Sequence, residues 1–287
     1  MSGKVSDFFS LVKFNHTVFA LPFALIGFFL ALNFNAVIFE WSLLIKVLLC
    51  MVFARTAAMS FNRYADREID KQNERTAVRE IPAGIISANA ALLLTVFSSL
   101  LFIVTCYFIN PLCFYLSPVA LLVTLGYSFT KRFTALSHFI LGLGLALAPT
   151  GAYLAVTGKF HWLPIPISLA VLTWVSGFDI IYALQDIEFD RKQKLFSIPA
   201  WLGEKGAMVF SNVLHFLTVA FLISEGIYTH FGILYWVGTV IFSLLLIYQH
   251  SIIKPGNLSR VNVSFFTTNG IASVVFSVFV IAEMLIK

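Results

Sequence analysis

The chain has 287 residues, of which 59% are hydrophobic, 16% aromatic and only 11% charged. A soluble domain carries roughly a quarter of its residues charged, so the composition excludes an ordinary soluble enzyme and points to an all-α polytopic membrane protein. The net charge of +5 does not imply nucleic-acid binding, because the basic residues fall in the intervals between apolar stretches.

A membrane-crossing helix needs about 20 mostly apolar residues. Nine such stretches follow in chain order, at roughly 16–33, 43–61, 85–109, 112–130, 135–156, 163–183, 207–228, 231–252 and 263–286. Pro22, Pro118 and Pro149 fall inside them, where they are expected to kink a helix while neighbouring groups satisfy the freed carbonyls. Lys4 and Lys13 precede the first stretch like the charged start of a signal peptide. No small-residue cleavage pattern follows, so the segment reads as a retained first helix. Cys50, Cys106 and Cys113 match no zinc spacing and read as small buried hydrophobes.

With the N-terminus placed in the cytoplasm, only Lys46, Lys159 and Lys287 of the 19 lysines and arginines fall on the outer face. The positive-inside rule therefore predicts an integral protein of the cytoplasmic membrane, with the connections after the second and sixth stretches facing the cytoplasm.

Those two connections carry the chain's most unusual feature. The first reads Asn62-Arg-Tyr-Ala-Asp66-Arg-Glu-Ile-Asp70 and the second Asp186-Ile-Glu-Phe-Asp190. Spacing of i, i+4 puts both carboxylates of a pair on one helical face. Each pair is followed by basic residues and then by Ile-Pro-Ala, at 81–83 and 198–200. This suggests one domain over 1–287, built as pseudo-repeat halves at about 16–130 and 135–252 plus a ninth helix at 263–286. The acidic motifs would then face each other across a central cavity.

Four carboxylates cannot share such a cavity ionised and unpaired. Mg²⁺ resolves this, because it takes oxygen ligands and bridges carboxylates to substrate phosphates. Asp66, Asp70, Asp186 and Asp190 are the candidate catalytic and metal-binding residues, with the amide oxygen of Asn62 on the same face as a further ligand. Arg75, Arg79, Lys131, Arg132, Lys192 and Lys194 are candidates to hold diphosphate oxygens and to stabilise the charge developing on a departing diphosphate. An allylic diphosphate would leave a carbocation, which the Phe-rich helices would shield from water. Arg55 lies inside a stretch and is a functional candidate for that reason. It is placed to pair with an acidic substrate or with Asp179, which itself is a candidate to bind the acceptor or assist its deprotonation. Asn15 and His16 open the first stretch, where His16 reads as interfacial. Glu68, Glu74, Glu80, Glu188 and Glu204 read as loop residues or local salt bridges.

At these residues the sequence resembles the UbiA family of membrane prenyltransferases, whose members carry N-D-x-x-D-x-x-x-D after the second helix and D-x-x-x-D after the sixth. The resemblance extends to Arg55-Thr-Ala-Ala-Met-Ser-Phe-Asn62, to Glu74-Arg75-Thr-Ala-Val-Arg79-Glu-Ile-Pro82-Ala-Gly84, to Tyr127-Ser-Phe-Thr-Lys131-Arg132, and to Asp179 seven residues before Asp186. It implies nine helices, Mg²⁺ dependence, and transfer of a polyprenyl group from its diphosphate to a phenolic aromatic acid, 4-hydroxybenzoate or a dihydroxynaphthoate, in quinone biosynthesis. It implies metal-diphosphate roles for Asn62 and the four aspartates. Lys131 and Arg132 would bind diphosphate or acceptor carboxylate, and Tyr127 the substrate. Arg63 stands where many members have an aspartate, which would add a cation on the phosphate side. Other acceptors on the same fold (haem, a chlorophyll precursor, a sugar phosphate) and a transporter with a carboxylate ion site are the competing readings. A transporter usually places such residues near mid-membrane.

Overall fold

A computed structural model describes residues 8, 10–12, 19–35 and 37–286; Lys4, Lys13, Asn15, His16 and Lys287 lie outside them. Among the described residues the chain is helical: α1 (Leu21–Asn35), α2 (Trp41–Ala65), α3 (Arg67–Gln72), α4 (Ala88–Tyr107), α5 (Pro111–Thr130), α6 (Ser137–Thr157), α7 (Ile165–Ala183), α8 (Ile187–Lys192), α9 (Ile198–Tyr228), α10 (Ile233–Ser251) and α11 (Asn269–Ile286). A 3₁₀ turn, Leu184–Asp186, joins α7 to α8, and a π turn, Val263–Thr268, leads into α11. Eight segments are long and apolar enough to cross a membrane, and α1 is a shorter apolar helix. The nine expected stretches are all present as helices.

Local chemistry explains the boundaries that differ from expectation. The seventh membrane helix, expected from about 207, is preceded by a short helical turn that opens at Ile198. The Ser197 side chain accepts from the Ala200 amide as N-cap, and Pro199 sits in the first turn, where its missing N–H costs nothing. Gly203 breaks this helix with a φ of 71°, a left-handed conformation that glycine adopts without strain. Pro22 falls in the first turn of α1, where proline is tolerated without a kink. Pro118 and Pro149 do lie inside α5 and α6. The two Ile-Pro-Ala triplets differ locally: 198–200 opens α9, whereas 81–83 lies in turns before α4.

The helices divide into a solid part and a hollow part. α7 is the most enclosed, with 78% of its apolar window buried inside the protein. It packs against α6 and α9. Trp174 at its centre stacks edgewise on Phe178 and Phe242 and lies 5.3 Å from Phe23 of α1. Phe276 of α11 completes this core. Without a hydrophobic drive between helices in lipid, close packing and interhelical hydrogen bonds hold such a bundle together. Trp174 Nε1 donates to Asn269 Oδ1 at 3.0 Å, and the Asn269 amide in turn caps two carbonyls of the π turn. α2, α4, α5 and α6 by contrast surround an apolar cavity of about 420 Å³. The three cysteines are free thiols in its wall, with Cys50 Sγ 3.7 Å from Cys106 Sγ.

Gly27 marks where α1 crosses α6. A Cβ there would overlap the backbone carbonyl of Pro149, which cannot move aside as a side chain can. Gly27→Ala is expected to force the helices apart and destabilise the protein by about 1–3 kcal/mol. The check is a lowered midpoint of thermal unfolding in detergent or lipid.

Candidate active site

Both acidic motifs sit where a membrane helix gives way to a short helix. Asp66 ends α2 and Asp70 lies on α3, with the Asp70 amide donating to the Asp66 carbonyl at 2.7 Å. Asp186 closes the 3₁₀ turn after α7, and Asp190 lies on α8. The helical spacing therefore holds in both. All four aspartates line one polar cavity of about 190 Å³, together with Asn62, Arg75, Arg79, Tyr127, Lys131, Arg132 and Asp179.

Each carboxylate is matched to a cation. Arg79 Nη1 reaches both Asp70 oxygens at 2.7 and 2.8 Å. Lys131 Nζ lies 3.0 Å from Asp190 Oδ2, and Ser197 Oγ donates to the same oxygen at 2.7 Å. Arg132 Nη2 is 3.5 Å from Asp66 Oδ1, while the Asn62 amide donates to Asp66 Oδ2 at 2.8 Å. Arg75 grips Asp186 bidentately, with Nη2 at 2.5 Å from Oδ2 and Nε at 3.1 Å from Oδ1. Asn73 donates to Asp186 as well, at 3.0 Å, and Tyr182 accepts from Arg75 Nη1 at 3.0 Å. Asn73 and Arg75 follow the first motif and Asp186 belongs to the second, so these bonds tie the motifs into one site.

The electrostatics follow from this pairing. Burial works against the Arg75 charge, but the hydrogen bond and charge of Asp186 outweigh it and hold the guanidinium above its ordinary range. Asp66 has weaker partners. Burial, then the neighbouring Asp70 charge, push its carboxyl above the usual range against the pull of Arg132 and Lys131.

The donor set suits Mg²⁺. It consists of hard oxygens: four carboxylates, and the Asn62 amide oxygen left over once its nitrogen has bonded Asp66. Among the described residues no three of the carboxylates converge on one point. A divalent ion would be held by one or two carboxylates and completed by substrate oxygens and water, which is how Mg²⁺ is commonly bound. Five aspartates and four cations around one cavity complement a ligand that itself carries both signs, a metal-bound diphosphate.

A pH dependence follows from Asp66. An unfolded aspartate titrates near 3.9. As pH rises from there through the raised folded value, the unfolded chain releases this proton first, so Asp66's contribution to stability falls across that window. A metal ion must displace the same proton, so its binding strengthens over the same window. The expected result is a Mg²⁺-induced rise in unfolding midpoint that grows as pH rises from the acid side toward neutrality, with Asp66→Asn removing that pH dependence.

Several expected residues lie elsewhere. Lys192 and Lys194 are exposed and outside the cavity lining: α8 turns to the cavity the face that carries Asp190, and Lys194 stands beyond the end of α8. Arg63 adds no cation to the phosphate side. It is buried, outside the cavity, with Nε 4.0 Å from Glu80. Glu80 thus makes the local salt bridge expected of it, in a buried turn. It is 7% exposed and accepts a 2.5 Å hydrogen bond from Ser10, pinning the connection that carries Arg75 and Arg79. Glu204 anchors another connection by accepting from the Gly256 amide. Arg55 and Asp179 do not pair. Arg55 lines the apolar cavity, whereas Asp179 is bonded to His138 Nδ1 at 2.6 Å. Tyr127 and Leu141 line both cavities, so the polar compartment joins the apolar one at these two side chains.

The site also holds residues that sequence reasoning passed over: Asn73, Tyr182, His138 and Ser197. Tyr182 stands four before Asp186, the same spacing that flagged the aspartates. Nothing in the spacing of His138 signals its role, since it is brought in by the packing of α6 on α7.

Residues 20–271 match the profile of the UbiA prenyltransferase family. A 4-hydroxybenzoate octaprenyltransferase of Aliivibrio salmonicida is 31% identical over 245 residues, which is 83% of each chain. One from Francisella tularensis subsp. novicida is 31% identical over 80% of this chain and 81% of its own. The apo structure of a UbiA homolog from Aeropyrum pernix superposes with a TM-score of 0.85 at 32% identity, over 94% of this chain and 98% of that one. A UbiA homolog from Archaeoglobus fulgidus, bound to DMAPP and Mg²⁺, shares the fold with a TM-score of 0.70 at 23% identity, over 98% and 100% of the two chains.

Proposed function

The chain belongs to the UbiA prenyltransferase family, and from that premise we propose that it transfers a polyprenyl group from a polyprenyl diphosphate to a phenolic aromatic acid, 4-hydroxybenzoate or a dihydroxynaphthoate, with Mg²⁺ as cofactor. One observation carries this reading: a polar cavity bearing both aspartate motifs joins, at Tyr127 and Leu141, an apolar cavity more than twice its volume. A diphosphate fits the first and an isoprenoid tail the second, with the reactive allylic carbon at the junction.

Asp66, Asp70, Asp186, Asp190 and the Asn62 oxygen would hold the metal. Arg75, Arg79, Lys131 and Arg132 would turn from carboxylates to phosphate oxygens. When bound, Mg²⁺ supplies positive charge that makes diphosphate a better leaving group. The chain's own part is to fix that group at the motif end of the bundle, to exclude water from the allylic cation with the apolar wall, and to present the acceptor. Arg55, in that wall near Tyr127, is the candidate partner for the acceptor's carboxylate, and Asp179 faces the acceptor from the polar side. The basic connections support a reading in which the active site faces the cytoplasm from an inner membrane.

The test supplies membrane-embedded protein with Mg²⁺, a mixture of prenyl diphosphates and both candidate acids, and weighs the products. A prenylated phenolic acid formed only with Mg²⁺ is the expected result. Prenylation of a non-aromatic acceptor, or cation uptake into vesicles with no prenylated product, would overturn it.

A further inference from the structure

We infer that His138 is a positioning residue that holds Asp179 ready to accept the acceptor's proton, and that the segment Phe196–Ile198 ties this pair to the diphosphate clamp; the inference rests on the reaction proposed above. His138 opens α6 and is 1% exposed. Its Nδ1 lies 2.6 Å from Asp179 Oδ2, and its Nε2 faces the backbone N–H of Ile198 at 3.4 Å. A backbone N–H can only donate, so Nε2 must accept. The proton of the neutral ring is therefore on Nδ1, donated to Asp179. This holds Asp179 as a fixed hydrogen-bond acceptor whose side chain is 22% exposed to the polar cavity. Asp179 lies two helical turns along α7 from Asp186, roughly 10 Å deeper, toward the level where the two cavities meet.

Three consecutive residues link the pair to the other half of the site. The Phe196 amide donates to the Lys131 carbonyl at 2.7 Å, Ser197 Oγ to Asp190 at 2.7 Å, and the Ile198 amide to His138. Ser197 and Ile198 are wholly buried. The geometry of the diphosphate-binding Lys131 and Asp190 is thus set by the same strap that sets the tautomer of His138.

The hydroxyl proton of the phenolic acid passes to Asp179 as a ring carbon bonds the allylic carbon. The breaking C–O bond leaves its electron pair on diphosphate. Asp179 then returns its proton to the ring oxygen while the substituted ring carbon's proton departs with diphosphate, so each turnover releases one proton with one diphosphate and leaves Asp179 ionised again.

The experiment compares wild type, His138→Phe and His138→Asn on a phenolic acid that the wild type prenylates and on its ring-fluorinated analogue, whose hydroxyl is more acidic. Second-sphere groups that orient a reacting side chain are worth about 10–100-fold. His138→Phe should lower kcat by about that factor on the parent acid, clearly less on the fluorinated one, with KM for the prenyl diphosphate within about threefold. His138→Asn keeps an N–H near the Nδ1 position and should recover most of the loss; it also serves if the Phe variant does not fold. Equal losses on both acids, full activity in His138→Phe, or a His138→Asn loss as large as that of the Phe variant would overturn the role of His138. A wild type that prenylates no phenolic acid would overturn the function itself, a separate outcome.

Discussion

Asp186→Asn should lower kcat/KM by about a thousandfold while leaving the protein folded. The carboxylate holds both Nη2 and Nε of Arg75 and accepts from Asn73, and it faces the cavity where a metal-bound diphosphate is proposed to sit. An asparagine of the same shape removes the charge, offers one acceptor oxygen where two were used, and turns an N–H toward a guanidinium. Removing one preorganised group aimed at developing charge costs about 10²–10³ in rate, and here the metal contact is weakened as well. Turnover at saturating Mg²⁺, with the unfolding midpoint as control, is the check. Activity within tenfold of wild type would show that Asp186 has no part in holding diphosphate. Asp190→Asn should give a similar loss of rate with an added loss of stability. Asp190 is 1% exposed, so neutralising it leaves the Lys131 ammonium without its counter-charge in a partly dry site.

Trp174→Ala should be the most damaging change away from the site, at about 3–5 kcal/mol of stability. Trp174 is wholly buried on the central helix and packs on Phe23, Phe178 and Phe242. Neither lipid nor water enters a space that size at the middle of a bundle, so its lining loses contacts outright. The Asn269 oxygen also loses its donor, a further cost of about 1–3 kcal/mol for a buried polar group. Trp174→Phe keeps most of the volume and loses only the N–H, so its cost should be near that smaller figure. Unfolding midpoints of the two variants in one lipid separate packing from the hydrogen bond. Because α7 carries Asp179 and leads directly into Asp186, the Ala variant should also lose turnover at temperatures where it is still folded.

The membrane helices were legible because lipid demands long apolar stretches, and nothing else in the chain resembles one. The aspartate pairs were legible because i, i+4 spacing survives whether the segment is called a loop or, as it proves, a short helix. What spacing does not convey is direction. Lys192 and Lys194 follow Asp190 closely, yet both are exposed. Arg63 adjoins the first motif, yet it turns to Glu80 behind the cavity. Glu80 forms a local salt bridge as expected, but its burial was not legible, because Ser10 and Arg63 are brought to it only by the folded connection. His138 illustrates the remaining gap: its partners Asp179 and Ile198 stand 41 and 60 residues away, and only the packing of α6 against α7 and the start of α9 joins them. The hollow between α2, α4, α5 and α6 was hidden for a similar reason, since an apolar residue facing lipid and one facing a cavity look the same in sequence.

The central claim is that the two aspartate motifs act together on one metal-bound diphosphate. The most direct measurement is binding of an uncleavable prenyl thiolodiphosphate to the lipid-embedded protein by calorimetry, with and without Mg²⁺, in wild type, Asp66→Asn and Asp190→Asn. Binding that requires Mg²⁺ and is weakened at least tenfold, about 1.4 kcal/mol, by either substitution alone is the predicted result. Binding that is indifferent to Mg²⁺, or that survives the loss of one motif while depending on the other, would contradict it.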